Sequence, residues 1–302
     1  MATSTRESGS TRFVAKEATT TRREVGVLRR LARHKPALLG GAWIIAIAAV
    51  GIFGPVVYTT SYEAVSVPAQ FAPPGPGYPL GADENGRDVL ARLIFGGRIS
   101  LLVGLFAATV AVVFGTSVGA LSGHFGGRTD ALLMRMTDTF MSVPTFFLLL
   151  MVLALFGGGL HVLILGIGFT SWEAVARVVR SEILRHKGME FVTAARAIGS
   201  SEMRLLIRHL VPQAVPSIIV ASMLAVAHAI LAEAALSYLG LGVRVPMPSW
   251  GNMLSGAQNY LFIAPLLAIW PGVLIMLTVL ALNIFGDGLR DALDPQLVGE
   301  KT

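Results

Sequence analysis

RSEILRHKGMEFVTAARAIGSSEMRLLIRHLVPQ, residues 180–213, is a basic stretch of about thirty residues set between two long apolar runs. Most connections between membrane-length runs are short, so a loop of this size calls for a purpose. Its pattern is helical. Met189, Val192, Ala195 and Ala197 lie near one face, Gly199 interrupts, Ser200 offers an N-cap, and Met203, Leu206, Ile207 and Leu210 resume before Pro212. Two short amphipathic helices joined by a turn are expected, suited either to rest on a lipid surface or to dock on a partner.

The runs on either side set the solvent. With 54% hydrophobic and 14% charged residues, the chain falls well below the roughly 25% charge of a soluble domain. A bilayer core about 30 Å thick needs roughly 20 apolar helical residues. Six windows meet that length: 37–58, 100–121, 136–156, 160–179, 214–239 and 262–285. The expected fold is therefore an all-α integral membrane protein with six transmembrane helices, its membrane domain covering 96–285. Gly157, Gly158 and Gly159 read as a tight hairpin between spans three and four, and Gly115, Gly119 and Gly123 as a face for close helix packing. Pro265 and Pro271 in span six are tolerable where neighbouring helices satisfy the freed carbonyls.

Lysine and arginine concentrate in cytoplasmic loops. Arg6, Arg12, Lys16, Arg22, Arg23, Arg29, Arg30, Arg33 and Lys35 precede the first span, and Arg180, Arg185, Lys187, Arg196, Arg204 and Arg208 lie between the fourth and fifth. Those segments share a side, so both termini are expected inside, with 59–99 and 240–261 outside. The formal charge of +6 then marks topology rather than a nucleic-acid partner. Residues 1–25 are expected to be disordered, 26–36 to form a basic lead-in to the first span, and 286–302 to form a cytoplasmic tail.

The loop resembles the cytoplasmic signature loop of ABC importer permeases, whose pattern runs Glu-Ala-Ala, three residues, Gly, nine residues, Ile-x-Leu-Pro. Thr193, Ala194 and Ala195 hold the first places, Gly199 the glycine and Pro212 the proline, while His209 and Val211 replace the isoleucine and leucine. The strings Phe191 to Gly199 and Arg208 to Pro212 are similar to the version in dipeptide, oligopeptide and nickel importer permeases. Pro79-Leu80-Gly81-Ala82-Asp83-Glu84-Asn85-Gly86-Arg87-Asp88 resembles the LGTDxxGRD motif of the second, C-type permease subunit of that group. Residues 233–242, Pro248 to Gly251 and residues 286–295 resemble its fifth-span exit and tail. The resemblance implies a MetI-like permease fold, a heterodimer with a second homologous permease, two ABC ATPase subunits or domains, and an extracytoplasmic substrate-binding protein. It also implies that Glu190, Thr193, Ala194, Ala195, Arg196, Gly199, Ser200, Arg204, Arg208, His209 and Pro212 form the ATPase-coupling loop.

No glycine-rich phosphate loop with a Lys-Ser or Lys-Thr pair occurs, so ATP and magnesium are expected in the partner ATPases and no cofactor in this chain. The six histidines show no metal-ligand spacing, and there are no cysteines. An intramembrane protease would need a serine motif or paired aspartates within the spans, and neither is found. A self-sufficient ion-coupled transporter is the main rival, but it would usually carry inverted repeats and a polar, interrupted helix at mid-membrane.

Glu233 is the best intramembrane candidate, since burying an ionisable residue in lipid is costly. Nineteen residues at about 1.5 Å from Ala214 place it near the outer interface, facing the pathway mouth or making a packing hydrogen bond to the partner subunit. Asp83, Arg87 and Asp88 are candidates for the outer vestibule, or for a capped turn around Asn85-Gly86. Glu173 and Arg177, one turn apart, are expected to pair locally.

Overall fold

The computed structural model describes residues 30–32 and 34–293. The tail segment 1–25 and residues 294–302 lie outside them. Eleven helices follow in order: α1 (Lys35–Val57), α2 (Val89–Phe125), α3 (Gly127–Ser142), α4 (Thr145–Phe156), α5 (Leu160–Phe169), α6 (Glu173–Lys187), α7 (Glu190–Ala197), α8 (Glu202–Leu205), α9 (Val211–Tyr238), α10 (Trp250–Ala257) and α11 (Leu266–Leu293). Among the described residues the only β pairing is two isolated bridges. Four stretches are long and apolar enough to cross a bilayer, with mean hydropathy of 2.1 to 2.3: α1, α2, α11 and the run from Glu202 through α9. The number rises to six if the bent pairs α3–α4 and α5–α6 each make one span.

Both bent pairs correct the expectation of continuous helices there. The α3–α4 pair turns by 87°. Pro144 has no N–H to donate and its ring disfavours helical backbone at the preceding residue, and Val143 is extended with φ −100° and ψ 127°. The α5–α6 pair turns by 41° at Thr170 to Trp172. There the Thr170 hydroxyl bonds back to Gly166 O at 2.8 Å, competing for a helix-end carbonyl. Span two also runs longer than its apolar window, because Asp88 caps it early by accepting from Ala91 N at 2.9 Å.

α2 is the central helix and packs against α1, α5, α6 and α9. Its glycines permit this. A Cβ on Gly115 would stand 2.5 Å from Trp172 O, on Gly119 2.3 Å from Ala176 O, and on Gly123 3.0 Å from Arg180 O. The small-residue series therefore has a definite partner, the backbone of α6 and the residue before it. Nearer its start, Gly96 and Gly97 sit against Ser249 and Trp250, and Gly104 against Ile230. One helix thus ties the residue 180–213 loop at its far end to the α9–α10 region at its start.

Candidate functional site: the bent loop and the opposite rim

The loop folds as two helical pieces around a glycine. α7 ends where Gly199 takes φ +88°, a left-handed conformation that glycine adopts without a Cβ penalty. Gly199 N then donates to Arg196 O at 3.0 Å and Ser200 N to Ala195 O at 3.1 Å, satisfying the last carbonyls of α7. Ser200 is thus a closing residue of the first helix and not the cap of the second. The cap position of α8 is Ser201, whose side chain makes no capping bond. A π-helical turn from Leu206 to Leu210 joins α8 to α9 in one continuous run, with Pro212 the second residue of α9, directly after that widened turn.

The two faces differ. Val192, Ala195, Leu205, Leu206 and Leu210 are buried with Val175, Val179, Ile183 and Ala214 in one cluster that glues the loop to α6 and α9. Ala195 therefore faces this chain and is not free for close approach by a partner. Glu190, Thr193, Ala194, Arg196, Gly199, Arg204, Arg208 and Pro212 are exposed, and Ser200 and His209 are half-buried. Ile198, at the turn, is 85% exposed. An apolar side chain left at the tip of a rigid bend is a feature that docking would cover.

Polar ties fix the bend against the helix ends. Arg196 Nε and Nη2 donate to the two carboxylate oxygens of Glu202 at 3.0 and 3.1 Å, a forked pair bridging the turn. Those bonds hold the Arg196 guanidinium still more firmly protonated than usual. Glu202 also lies 3.0 Å from His124 Nε2, at the end of α2, in a contact without hydrogen-bond alignment. Lys187 Nζ donates to His124 O, and Arg180 forks onto Asp130 at 2.6 and 2.7 Å. Arg177 reaches Asp138 on α3 at 2.5 Å, which corrects the expected local pair with Glu173. α3 packs against α6, which brings Asp138 within reach of Arg177, and one Glu173 oxygen is left buried without a partner.

At the opposite rim, the 79–88 motif forms a turn held by its own carboxylates. Asp83 accepts from Asn85 N at 2.8 Å, Arg87 N at 2.9 Å and Arg87 Nε at 2.8 Å. Gly86 has φ +70°, and a Cβ there would stand 1.9 Å from Ser66 O. Asp88 also accepts from Tyr58 OH at 2.7 Å. Glu233 is fully buried and does not face a pathway or a partner subunit from this chain. Its carboxyl accepts from Ser100 Oγ on α2 at 2.8 Å and Ser237 Oγ on α9 at 2.6 Å. Burial without a cation beside it requires such donors, and sequence reading could not name Ser100, which lies 133 positions away.

No group of three or more His, Asp or Glu able to hold a metal occurs among the described residues. The arrangement offers a bend tied to the helix ends on one side and a charged turn at the other.

Comparison with known proteins assigns that arrangement. The family described as "Binding-protein-dependent transport system inner membrane component" matches residues 111–299, and "N-terminal TM domain of oligopeptide transport permease C" matches residues 25–74. The dipeptide transport system permease protein DppC of Alkalihalophilus pseudofirmus is 36% identical over 89% of this chain and 88% of its own length. The oligopeptide transport system permease protein OppC of Bacillus subtilis is 38% identical over 89% and 88%. The glutathione transport system permease protein GsiD of Pectobacterium atrosepticum is 37% identical over 89% and 90%. Among solved structures, an inward-facing MetNI methionine ABC transporter matches with a TM-score of 0.55 and 19% identity, covering 68% of this chain and 96% of that one, which bears on the fold alone. A basic bend locked to three helix ends, in a chain of several membrane-length helices, thus meets two family matches that together span most of the sequence: the chain belongs to the binding-protein-dependent transport system inner membrane components and is a permease subunit of an ABC importer.

Proposed function

We propose that this chain is the C-type permease subunit of an importer for peptides or related small solutes, and that residues 180–213 are where separate ATPase subunits push on it. The six expected spans have both termini inside, and the chain pairs with a second homologous permease to enclose the pathway. ATP and magnesium stay in the two ATPase subunits, and an extracytoplasmic binding protein delivers substrate to the rim that carries Asp83, Arg87 and Asp88. Alternating access then follows from rocking of the two permeases as the ATPases close.

The observation that carries this reading is the two-faced loop. Its inner face is buried on α6 and α9 and its carboxylate Glu202 meets His124 of α2, so displacement of the exposed face moves three membrane helices together. A loop merely resting on lipid needs no such rigid backing.

Gly199→Val tests the coupling directly. A Cβ on Gly199 meets nothing within 4 Å, so the substitution acts through its left-handed backbone and the exposed turn rather than through the core. Strain of about 1–2 kcal/mol reshapes the bend while the helices remain folded. In proteoliposomes containing the whole transporter, peptide uptake falls roughly tenfold or more while the chain still assembles. Uptake at the wild-type rate would exclude the loop as the point of force transfer. Because the chain has no cysteine, Ala194→Cys also gives a clean topology probe. A membrane-impermeant maleimide labels it only in inside-out vesicles, and labelling in right-side-out vesicles would reverse the orientation.

A further inference from the structure

A cavity of about 590 Å³ opens at the rim opposite the loop, between the 83–92 turn, the residues after α9 and α10. That volume lies in the range of small-molecule sites, about 300–1,000 Å³. Five charged side chains line it: Asp83, Glu84, Arg87, Arg92 and Arg244. Their pairing is uneven. Arg87 takes both carboxylates, donating to Asp83 at 2.8 Å and to Glu84 at 3.1 Å. Arg92, 5% exposed, has only a long 3.5 Å contact to Asp83, and its Nη1 is buried with no hydrogen-bond partner. Arg244 forms no ion pair among the described residues and lies over Gly158, its Nε 3.0 Å from where a Cβ would stand. Three guanidiniums thus face two carboxylates that are already engaged. A buried guanidinium N–H without an acceptor is costly, and the group that best relieves it is a planar carboxylate.

We infer that this cavity is a binding site for a small carboxylate-bearing solute, and that Arg92 and Arg244 take the C-terminal carboxylate of a short peptide before it enters the membrane pathway. The inference deepens the peptide-importer reading and rests on it. It assigns recognition to this permease, at its outer rim, in addition to the extracytoplasmic binding protein. The cavity has room for a peptide of a few residues, and its three guanidiniums outnumber its two carboxylates, both of which Arg87 engages, so the wall as a whole favours an anion.

The test uses the full permease–ATPase complex in nanodiscs, without the soluble binding protein, and tritiated Ala-Ala as probe, with its C-terminal amide as the second probe. Wild type binds Ala-Ala, and the amide binds about tenfold or more weakly, the loss expected for one charge-assisted contact. Arg244→Gln weakens Ala-Ala binding to a similar degree without disturbing the fold, since Arg244 is exposed. Arg92→Gln does the same, and Arg92→Lys restores part of the affinity. Arg128→Gln, an exposed arginine at the other end, changes nothing. Equal binding of acid and amide, wild-type affinity in both the Arg92 and Arg244 variants, or no binding of Ala-Ala to wild type would each overturn the proposal. So would displacement by acetate at the same concentrations as Ala-Ala, which reduces the site to an adventitious ion only. A loss of receptor docking in Arg244→Gln, with no peptide binding in wild type, would transfer the site to an acidic group of the receptor. Uptake of tritiated Ala-Ala by the complete transporter is measured alongside: its absence sinks the peptide reading, whereas normal uptake without binding here sinks only the cavity.

Discussion

Gly119→Val destabilises the folded chain by about 3 kcal/mol or more, at the upper end of the cost of overpacking a close contact. A Cβ at this position lies 2.3 Å from Ala176 O and 3.0 Å from Arg180 N, and both are backbone atoms of α6 that cannot rotate away. The only relief is to move α2 and α6 apart. That separation opens Gly115 and Gly123 as well, and it strains the Arg180–Asp130 fork that closes the same junction. Unlike a soluble core, this contact gains little from expelling water, so its stability comes from dispersion between surfaces brought close by small residues. The measurement is the denaturant midpoint of the purified chain in detergent, together with its yield from membranes. Gly188→Ala is the control: nothing lies within 4 Å of its Cβ, and its cost stays within about 0.5 kcal/mol. Equal stability of the two variants would mean that α2 and α6 are not in the close packing described.

The spans and the loop were legible because each leaves a one-dimensional trace. Apolar windows of the right length mark membrane helices, and Gly199, Pro212 and the spacing of Val192 and Ala195 mark a bend between two short helices. The breaks left no such trace. Pro55, Pro216 and Pro271 sit inside continuous helices, while Pro144 ends one, and hydropathy cannot tell these outcomes apart. What decides is whether neighbouring groups cover the carbonyl that proline frees, which is a tertiary fact. The polar ties were hidden for the same reason. Glu202 reaches His124, Arg180 reaches Asp130 and Arg177 reaches Asp138, each through contacts created only when the helices pack. The expected Glu173–Arg177 pair rested on the one rule that needs no tertiary structure, and the fold supplied Arg177 with a better-placed partner.

Glu233 shows how far sequence reading goes and where a second large effect is expected. Its position inside a span marked it as costly and therefore used, but its partners decide the use. Ser100 and Ser237 donate to its two oxygens, and the same serine oxygens accept from Trp250 N at 3.3 Å and Val243 N at 3.0 Å. The carboxyl is thus the hub that joins α2, α9 and the segment leading into α10. Glu233→Leu removes both acceptors at once and leaves two buried hydroxyls unpaired, a loss of about 3 kcal/mol. Glu233→Gln keeps one acceptor, but its amide N–H₂ meets a serine oxygen already accepting from a backbone N–H, so the cost is nearer 1 kcal/mol. Replacing Ser100 and Ser237 by alanine in the Glu233→Leu background does not restore stability, because Trp250 N and Val243 N then lose their acceptors. Denaturant midpoints give the order wild type, Gln, Leu, and amide exchange at Trp250 and Val243 accelerates in the leucine variant before global unfolding. A leucine variant as stable as wild type, or one fully rescued by the two alanines, would show that the carboxyl only fills space. The ranking follows because two independent donors converge on one side chain, so a single substitution loosens the contact through which α10 is held to the central helix.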